Sequence, residues 1–340
     1  MVHPSEPVVI VGAGLSGLVA AEQVAASGRP VIVLEASAGV GGRLATMEVG
    51  PGRADLGAQF FTTRAEAFVD RVEALVAKGI VYEWCRGFNI VDGYPRYAVR
   101  GGMTALAAHL AGALPDDVCE VRTGHTVEVV ARGAPGRDVR RWRVAGPGWE
   151  LHAGAVLLTS PVPVSLGLLD RDEGGSGQAV DGALLAGLRD IRYHRVLALA
   201  ALLDRPSAIP PPGARQLEEG PFSFVADNGA KGVSDAPVVT LHVAHDLSAE
   251  LWQEPDGRLV TDLLERARPW LGDARVLDTR LERWPCSGPV TPWPDRCCEP
   301  APGLLLAGDA FGGPKVEGAF LSGLAAGRRL VELTGEGQTP

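Results

Sequence analysis

At 340 residues the chain is longer than one hydrophobic core normally serves, so two domains are expected. A formal net charge of −9 with no Lys/Arg-rich run excludes an electrostatic footprint for nucleic acid or an anionic membrane. Cys85, Cys119, Cys286, Cys297 and Cys298 are odd in number and form no CxxC pair, so neither a disulfide framework nor a metal (zinc) site is indicated and free thiols are expected.

Residues 1–7 carry neither a basic n-region nor an apolar h-region, and the apolar run 196–203 is too short to span a bilayer, so a cytoplasmic protein is expected. Residues 8–11 (VVIV) suit a buried parallel strand, and residues 15–27 place Ala, Leu and Val at helical spacing. The turn joining them is Gly12, Ala13, Gly14, Leu15, Ser16 and Gly17. Gly12 permits the tight turn, Gly14 lets the backbone approach a pyrophosphate, and Gly17 lets the helix pack close to the sheet. A diphosphate then rests on the unpaired N–H groups and positive dipole end of the helix. Residues 31–34 form the next strand, closed by Glu35 and Ala36. A carboxylate there accepts the ribose hydroxyls of an adenosine and repels a 2′-phosphate, which leaves FAD or NAD.

Residues 36–47 (ASAGVGGRLATM) bring Gly41, Gly42 and Arg43, a second close backbone approach with a cation for the diphosphate. In residues 55–62 (DLGAQFFT), Gly57 and Ala58 precede Gln59 and Phe60, a segment able to pass beside a flat ring. Helices over 64–78 and 103–114 leave the nucleotide fold for a second domain. Between them Tyr82, Trp84, Tyr94 and Tyr97 either roof a site or form a hydrophobic patch. Strand signals at 118–122, 126–131 and 139–145 predict an antiparallel meander, in which Val127 is assigned to the cofactor.

Residues 155–159 return to the nucleotide domain, and 166–187 form loop and helix around a GGSG insertion at 174–177. Strands over 196–203 and 238–244 flank a rigid loop at 210–212, and a helix covers 259–268. At the far end residues 303–307 (GLLLA) form a buried strand, followed by Gly308, Asp309, a glycine-rich turn and a helix over 317–330, with a short polar tail after Thr334. The opening design is thus repeated. Asp309 can hold ribityl hydroxyls, and the backbone N–H groups of Val316, Glu317, Gly318 and Ala319 can meet negative charge at flavin N1 and the C2 carbonyl. NAD alone gives no reason for a second phosphate-type turn at the C-terminus, whereas FAD is longer and uses both turns. FAD, bound non-covalently, is the expected cofactor, and no second GxGxxG points to a separate NAD(P) domain.

The Gly12–Gly17 fingerprint, the GGR at 41–43 and the Gly308-Asp309 pair resemble the flavin amine oxidase superfamily. Within it the phrases DLGAQFFT (55–62), YAVRGGMTAL (97–106), LLTSPVPVSL (157–166) and AGDAFGGPKVEGAFLSGLAAG (307–327) resemble the renalases over nearly the whole chain. The resemblance implies an α/β fold: a discontinuous Rossmann-type FAD-binding domain with a β-meander (1–63, 115–165, 270–340) and a smaller mixed α+β substrate domain (64–114, 166–269). It implies an oxidase that passes hydride from a dihydronicotinamide isomer of NAD(P)H to flavin N5, and then electrons to dioxygen to give hydrogen peroxide. A dihydropyridine turns aromatic on losing hydride, so no general base is required.

Gln59 and Phe60 are expected near the ring, and Asn228, His242 and Trp284 in the substrate pocket, Asn228 and His242 being similar in position to those of renalases (VADNGAK, VVTLHVA). The alternative for His242 is a satisfied core histidine in an apolar strand, and for Trp284 a packing rather than a lining role. Lys231 either meets a substrate phosphate or is a solvated loop lysine. Amine oxidases of the superfamily carry a lysine at the start of a substrate-domain strand, and residues 191–195 (IRYHR) have none, which argues against amine oxidation. An amine oxidase or desaturase is the alternative on the same fold, and a non-catalytic lipid-binding chaperone the alternative of another class.

Overall fold

The computed structural model describes residues 6–132, 142–170 and 181–335. They form two compact units, one of residues 6–42, 107–132, 142–170, 181–192 and 289–335, the other of Arg43–Leu106 and Tyr193–Gly288. The chain runs β1 (Val8–Val11), α1 (Leu15–Ala26), β2 (Val31–Leu34), a 3-10 turn (Gly42–Leu44), β3 (Thr46–Val49), β4 (Gly52–Asp55), α2 (Glu66–Ala77), β5 (Val81–Cys85), β6 (Arg96–Val99) and α3 (Thr104–Gly112). It continues through β7 (Cys119–Arg122), β8 (Val129–Arg132), β9 (Trp142–Gly146), β10 (Trp149–Ala153), β11 (Ala155–Leu158), α4 (Val162–Asp170) and α5 (Gly182–Arg189). Then come β12 (Tyr193–Leu203), β13 (Ala214–Gln216), β14 (Phe222–Asp227), β15 (Val238–Val243), α6 (His245–Glu250), α7 (Asp256–Arg266), α8 (Arg268–Leu271), β16 (Val276–Pro289), β17 (Cys298–Ala301), β18 (Leu304–Leu306) and α9 (Val316–Gly335).

The first unit is built on a six-stranded sheet of order β17-β18-β11-β1-β2-β7, parallel except at the β17 edge. Its central strands VVIV, AVLL and LLL are buried at every residue, the unbroken apolar pattern of strands covered on both faces. Helices α1 and α9 pack closely because Gly323 and Gly327 face α1: a Cβ at Gly323 would lie 2.4 Å from the Ser16 carbonyl oxygen. The expected α/β fold is the one that forms, with one correction to the meander. Residues 119–122 pair in parallel with β2 in the main sheet, and the antiparallel sheet is β10-β9-β8. The GGSG insertion at 174–177, and positions 139–141 of the expected third strand, lie outside the described residues.

The second unit has a five-stranded sheet of order β13-β14-β15-β12-β16, with the hairpins β3-β4 and β5-β6. Leu197, Leu199, Ala201, Leu203, Val239, Leu241 and Val243 pack with Leu259, Leu263 and Leu271 of α7 and α8. Ala198, Ala200, Leu202 and Val238 instead meet Val49, Ala54 and Leu56 of the β3-β4 region. That second core is why residues 43–63 group with this unit, where the sequence boundary was expected at 63. Residues 270–288 group here too, β16 adding to β12, while residues 107–114 and 166–192 group with the first unit.

Candidate functional site

In the first unit the opening turn is shaped by three different constraints on its glycines. Gly12 has φ +106°, and a Cβ there would lie 2.6 Å from Thr159 Oγ1, which itself donates to the Val11 and Gly12 carbonyls at 3.0 and 3.1 Å. At Gly17 a Cβ would lie 2.0 Å from the Gly12 carbonyl oxygen, so helix and turn touch backbone to backbone. A Cβ at Gly14 would meet no protein atom within 4 Å. Its glycine is therefore not demanded by internal packing, and it leaves the N-terminal face of α1 open to a close-lying phosphate. Gly42 stacks on this turn, where a Cβ would lie 3.8 Å from Gly14 Cα, and the Gly41 N–H donates to the Ala13 carbonyl at 2.9 Å.

Glu35 is buried with both carboxylate oxygens engaged, one accepting the Ala13 N–H and the other the Ser37 N–H, each at 2.9 Å. A carboxylate oxygen has a second lone pair, so those bonds fix the group without exhausting it as a ribose acceptor. Val127 is buried in the same unit, and Asp309 follows Gly308 (φ +130°) at the end of β18. The start of α9 repeats the spacing of the opening turn: Gly313 and Gly318 stand five apart like Gly12 and Gly17, and a Cβ at Gly318 would lie 2.1 Å from the Gly313 carbonyl oxygen. The Ser16 hydroxyl donates to the Ala319 carbonyl at 2.7 Å, which brings the first turns of α1 and α9 together. Two helix N-termini side by side, a turn open at Gly14 and a buried carboxylate at the next strand end fit a dinucleotide.

In the second unit a buried polar network surrounds Asp55, the last residue of β4. Lys231 Nζ donates to Asp55 Oδ2 at 2.6 Å, and both side chains are fully buried. The other carboxylate oxygen accepts the Thr46 hydroxyl at 2.6 Å and the Met103 N–H at 2.8 Å. Burial pulls the Lys231 ammonium below its ordinary pKa, and the charge of Asp55 opposes the fall. Removing one partner of such a pair typically costs about 3–5 kcal/mol, because the other charge is left buried alone. Tyr82 donates to the Lys231 carbonyl, and burial followed by the Asp55 charge pushes its phenol up to about 12. Trp84 lies under the ammonium, 5.4 Å from Nζ to the ring centre.

The turn after Asp55 carries this network to Gln59 and His242. Gln59 Nε2 donates to the Asp55 carbonyl at 2.6 Å and the Gly57 carbonyl at 3.1 Å, and its Oε1 is buried without a hydrogen-bond partner. The Leu56 carbonyl accepts Trp284 Nε1 at 2.9 Å and lies 3.1 Å from His242 Nε2. Both amide hydrogens of Gln59 are committed to carbonyls, so its 3.3 Å approach to His242 Nε2 is not a hydrogen bond. His242 must then donate from Nε2 to Leu56, which leaves Nδ1 as the acceptor. Burial is the main force lowering the His242 pKa to about 4; the bond to Leu56 opposes it and Lys231 adds to it. The ring is neutral at pH 7.

Aromatic side chains form the apolar part of the cluster. Phe60 lies edge-on to Phe88 at 4.8 Å and stacked with Phe224 at 5.7 Å, and Phe224 lies 6.4 Å from His242. Of the four aromatics read as a roof or patch, Tyr82 and Trp84 border the ion pair, Tyr97 stacks on Phe61 at 5.8 Å, and Tyr94 is exposed. Asn228 is wholly buried: it accepts the Asp55 N–H at 3.2 Å and donates to Thr240 Oγ1 at 2.8 Å and the Val238 carbonyl at 3.2 Å. Arg43 Nη1 donates to the Cys286 carbonyl at 3.1 Å, while its own carbonyl accepts the Ala58 N–H at 2.9 Å. Asp55 and Thr240 were missed in the sequence, and Lys231, read as exposed or phosphate-binding, is corrected to a buried partner of Asp55. The chain has only three lysines, at 78, 231 and 315, and that scarcity was the one available signal.

A profile of NAD(P)-binding Rossmann-like domains matches residues 10–72, and that of the family Flavin containing amine oxidoreductase matches residues 80–331. The fold is similar to a putative protoporphyrinogen oxidase from Exiguobacterium sp. 255-15, with TM-score 0.71 and 14% identity over 96% of this chain and 98% of that one. It is similar to a triple mutant of putrescine oxidase, with TM-score 0.69 and 14% identity over 96% and 99% of the two chains. Cyclohexylamine oxidase from Brevibacterium oxydans IH-35A gives TM-score 0.68 and 13% identity over 97% and 99%. At these identities the likeness is one of fold, and the family match, over about three quarters of the chain, carries the assignment. The chain belongs to the flavin-containing amine oxidoreductase family and is an FAD-dependent oxidoreductase.

Proposed function

We propose that the protein is an oxidase of a dihydronicotinamide with an uncharged ring, an isomer of NAD(P)H, as in the renalases its sequence resembles. The observation that carries this reading is the charge state of the polar network in the second unit. Its carboxylate, Asp55, is already neutralised by Lys231 at 2.6 Å, and burial holds His242 uncharged. A protonated amine entering an apolar site needs a counter-charge. A flat uncharged ring suits the faces and edges of Phe60, Phe88 and Phe224.

Bound FAD would supply a hydride acceptor at N5 and a route for the electrons to dioxygen, with hydrogen peroxide as the product. The residues of this chain bind and orient. In the first unit, Gly12 to Gly17, Glu35, Ala36, Gly42, Val127, Gly308, Asp309 and Val316 to Ala319 would hold the dinucleotide. Gln59, Phe60 and His242 meet the substrate, while Asn228 and Trp284 fix the Asp55 N–H and the Leu56 carbonyl behind them. Peroxide release from the FAD-loaded protein, measured across 2- and 6-dihydroNAD isomers, NADH, putrescine and cyclohexylamine, tests the reading. The isomers are expected to turn over at least about 100-fold faster than either amine, a difference of about 2.7 kcal/mol in barrier. Peroxide from the amines alone transfers the protein to amine oxidation.

A further inference from the structure

One peptide unit separates Asp55 from the Leu56 carbonyl, which lies 3.1 Å from His242 Nε2. The ammonium of Lys231 comes from the loop after β14, which the Asp227 carboxylate shapes by accepting the Gly229 and Ala230 N–H groups at 2.9 and 3.0 Å. Asp55 is thereby tied to that loop by its side chain and to β15 by its carbonyl, which accepts the Thr240 hydroxyl at 2.9 Å. With Asp55 held at both ends, the Leu56 carbonyl is directed at His242 Nε2 and Trp284 Nε1. Gln59 closes the same turn through its two donated bonds.

We propose that Lys231 is a positioning residue whose ion pair with Asp55 clamps residues 55–59, so that His242 is held as the Nε2–H tautomer and presents Nδ1 as a hydrogen-bond acceptor for an N–H group of the substrate. The substrate part of this statement rests on the dihydronicotinamide reading, whose carboxamide supplies such a donor; the clamp stands on the geometry alone. A substrate that offers only an acceptor at that point is disfavoured, because two lone pairs would then face one another.

The test is ¹⁵N NMR of the histidine rings in the FAD-loaded protein, with His242 assigned by loss of its signals in His242→Gln. The wild-type protein is expected to show a protonated Nε2 and a bare Nδ1 at neutral pH. Lys231→Met removes the tether and leaves Asp55 uncompensated. The double variant Asp55→Asn with Lys231→Met removes both charges, so it keeps a folded sample if the single variant does not fold. In the double variant the single tautomer is expected to give way to a mixture, with flavin content unchanged and flavin reduction by the dihydronicotinamide slowed about tenfold. An unchanged Nε2–H tautomer in a folded variant overturns the clamp. Loss of the tautomer with an unchanged rate of flavin reduction upholds the clamp and overturns the placement of His242 at the substrate.

Discussion

His242 shows how one carbonyl and one partly buried ring set a protonation state. Its pKa falls to about 4 because the ring is desolvated, so the folded protein binds its proton far less readily than the unfolded chain, where the ordinary value of 6.5 applies. Above that ordinary value both states are neutral and the residue contributes no pH dependence. Between about 6.5 and 4 the unfolded chain takes up the proton first, so stability falls as pH falls through that window. From about pH 7 to about pH 5 the loss from this residue is about 2 kcal/mol. Urea titrations of the wild type and His242→Gln at both pH values check it: the wild type is expected to lose about 2 kcal/mol more than the variant, and parallel losses would return the proton uptake to other groups. His242 itself was legible in the sequence as a histidine within an apolar strand. Its tautomer was not, because that depends on the Leu56 carbonyl, 186 positions away along the chain. Lys231 was illegible for the same reason, since its partner Asp55 is 176 positions distant and nothing in VADNGAK distinguishes a buried ammonium from a solvated one.

Among the elements, those that carry an unbroken apolar run or a glycine turn were legible, and those defined by their pairing partner were not. The strands β1, β11 and β18 announce themselves as buried because nothing polar interrupts them. β7 has the sequence CEVR, which alternates as an edge of either sheet does, and only its register against Val31–Leu34 assigns it to the main sheet. The packing of α1 on α9 was hidden in a run of small residues. A Cβ at Gly323 would meet the Ser16 carbonyl oxygen at 2.4 Å and Ser16 Cα at 2.8 Å, both backbone atoms that cannot step aside. Gly323→Ala is expected to destabilise by about 1–3 kcal/mol through overpacking. It should also weaken FAD binding by separating the Ser16 hydroxyl from Ala319. Gly257→Ala in α7, where a Cβ meets no atom within 4 Å, is the control and is expected to stabilise by up to about 1 kcal/mol through helix propensity. Thermal melting and FAD titration of both variants measure this; equal effects would mean that the α1–α9 contact is loose enough to absorb a methyl.

For the whole molecule, the cofactor was legible because the chain repeats one physical device, a glycine turn opening a helix, at its two ends. The structure joins those ends through Ser16 and Ala319 in a single unit. The boundaries between units were less legible. The β3-β4 hairpin follows directly on the nucleotide fingerprint in sequence, yet its Val49, Ala54 and Leu56 share a core with Ala198, Ala200 and Leu202, a grouping that no local pattern encodes. The proposed reaction of this flavoprotein is hydride transfer from the uncharged ring of a dihydronicotinamide. Anaerobic stopped-flow mixing with 2- or 6-dihydroNAD tests it most directly, by following the oxidised flavin absorbance. Bleaching of that band within a single turnover is expected for at least one isomer, and an undiminished band with every isomer would contradict the claim.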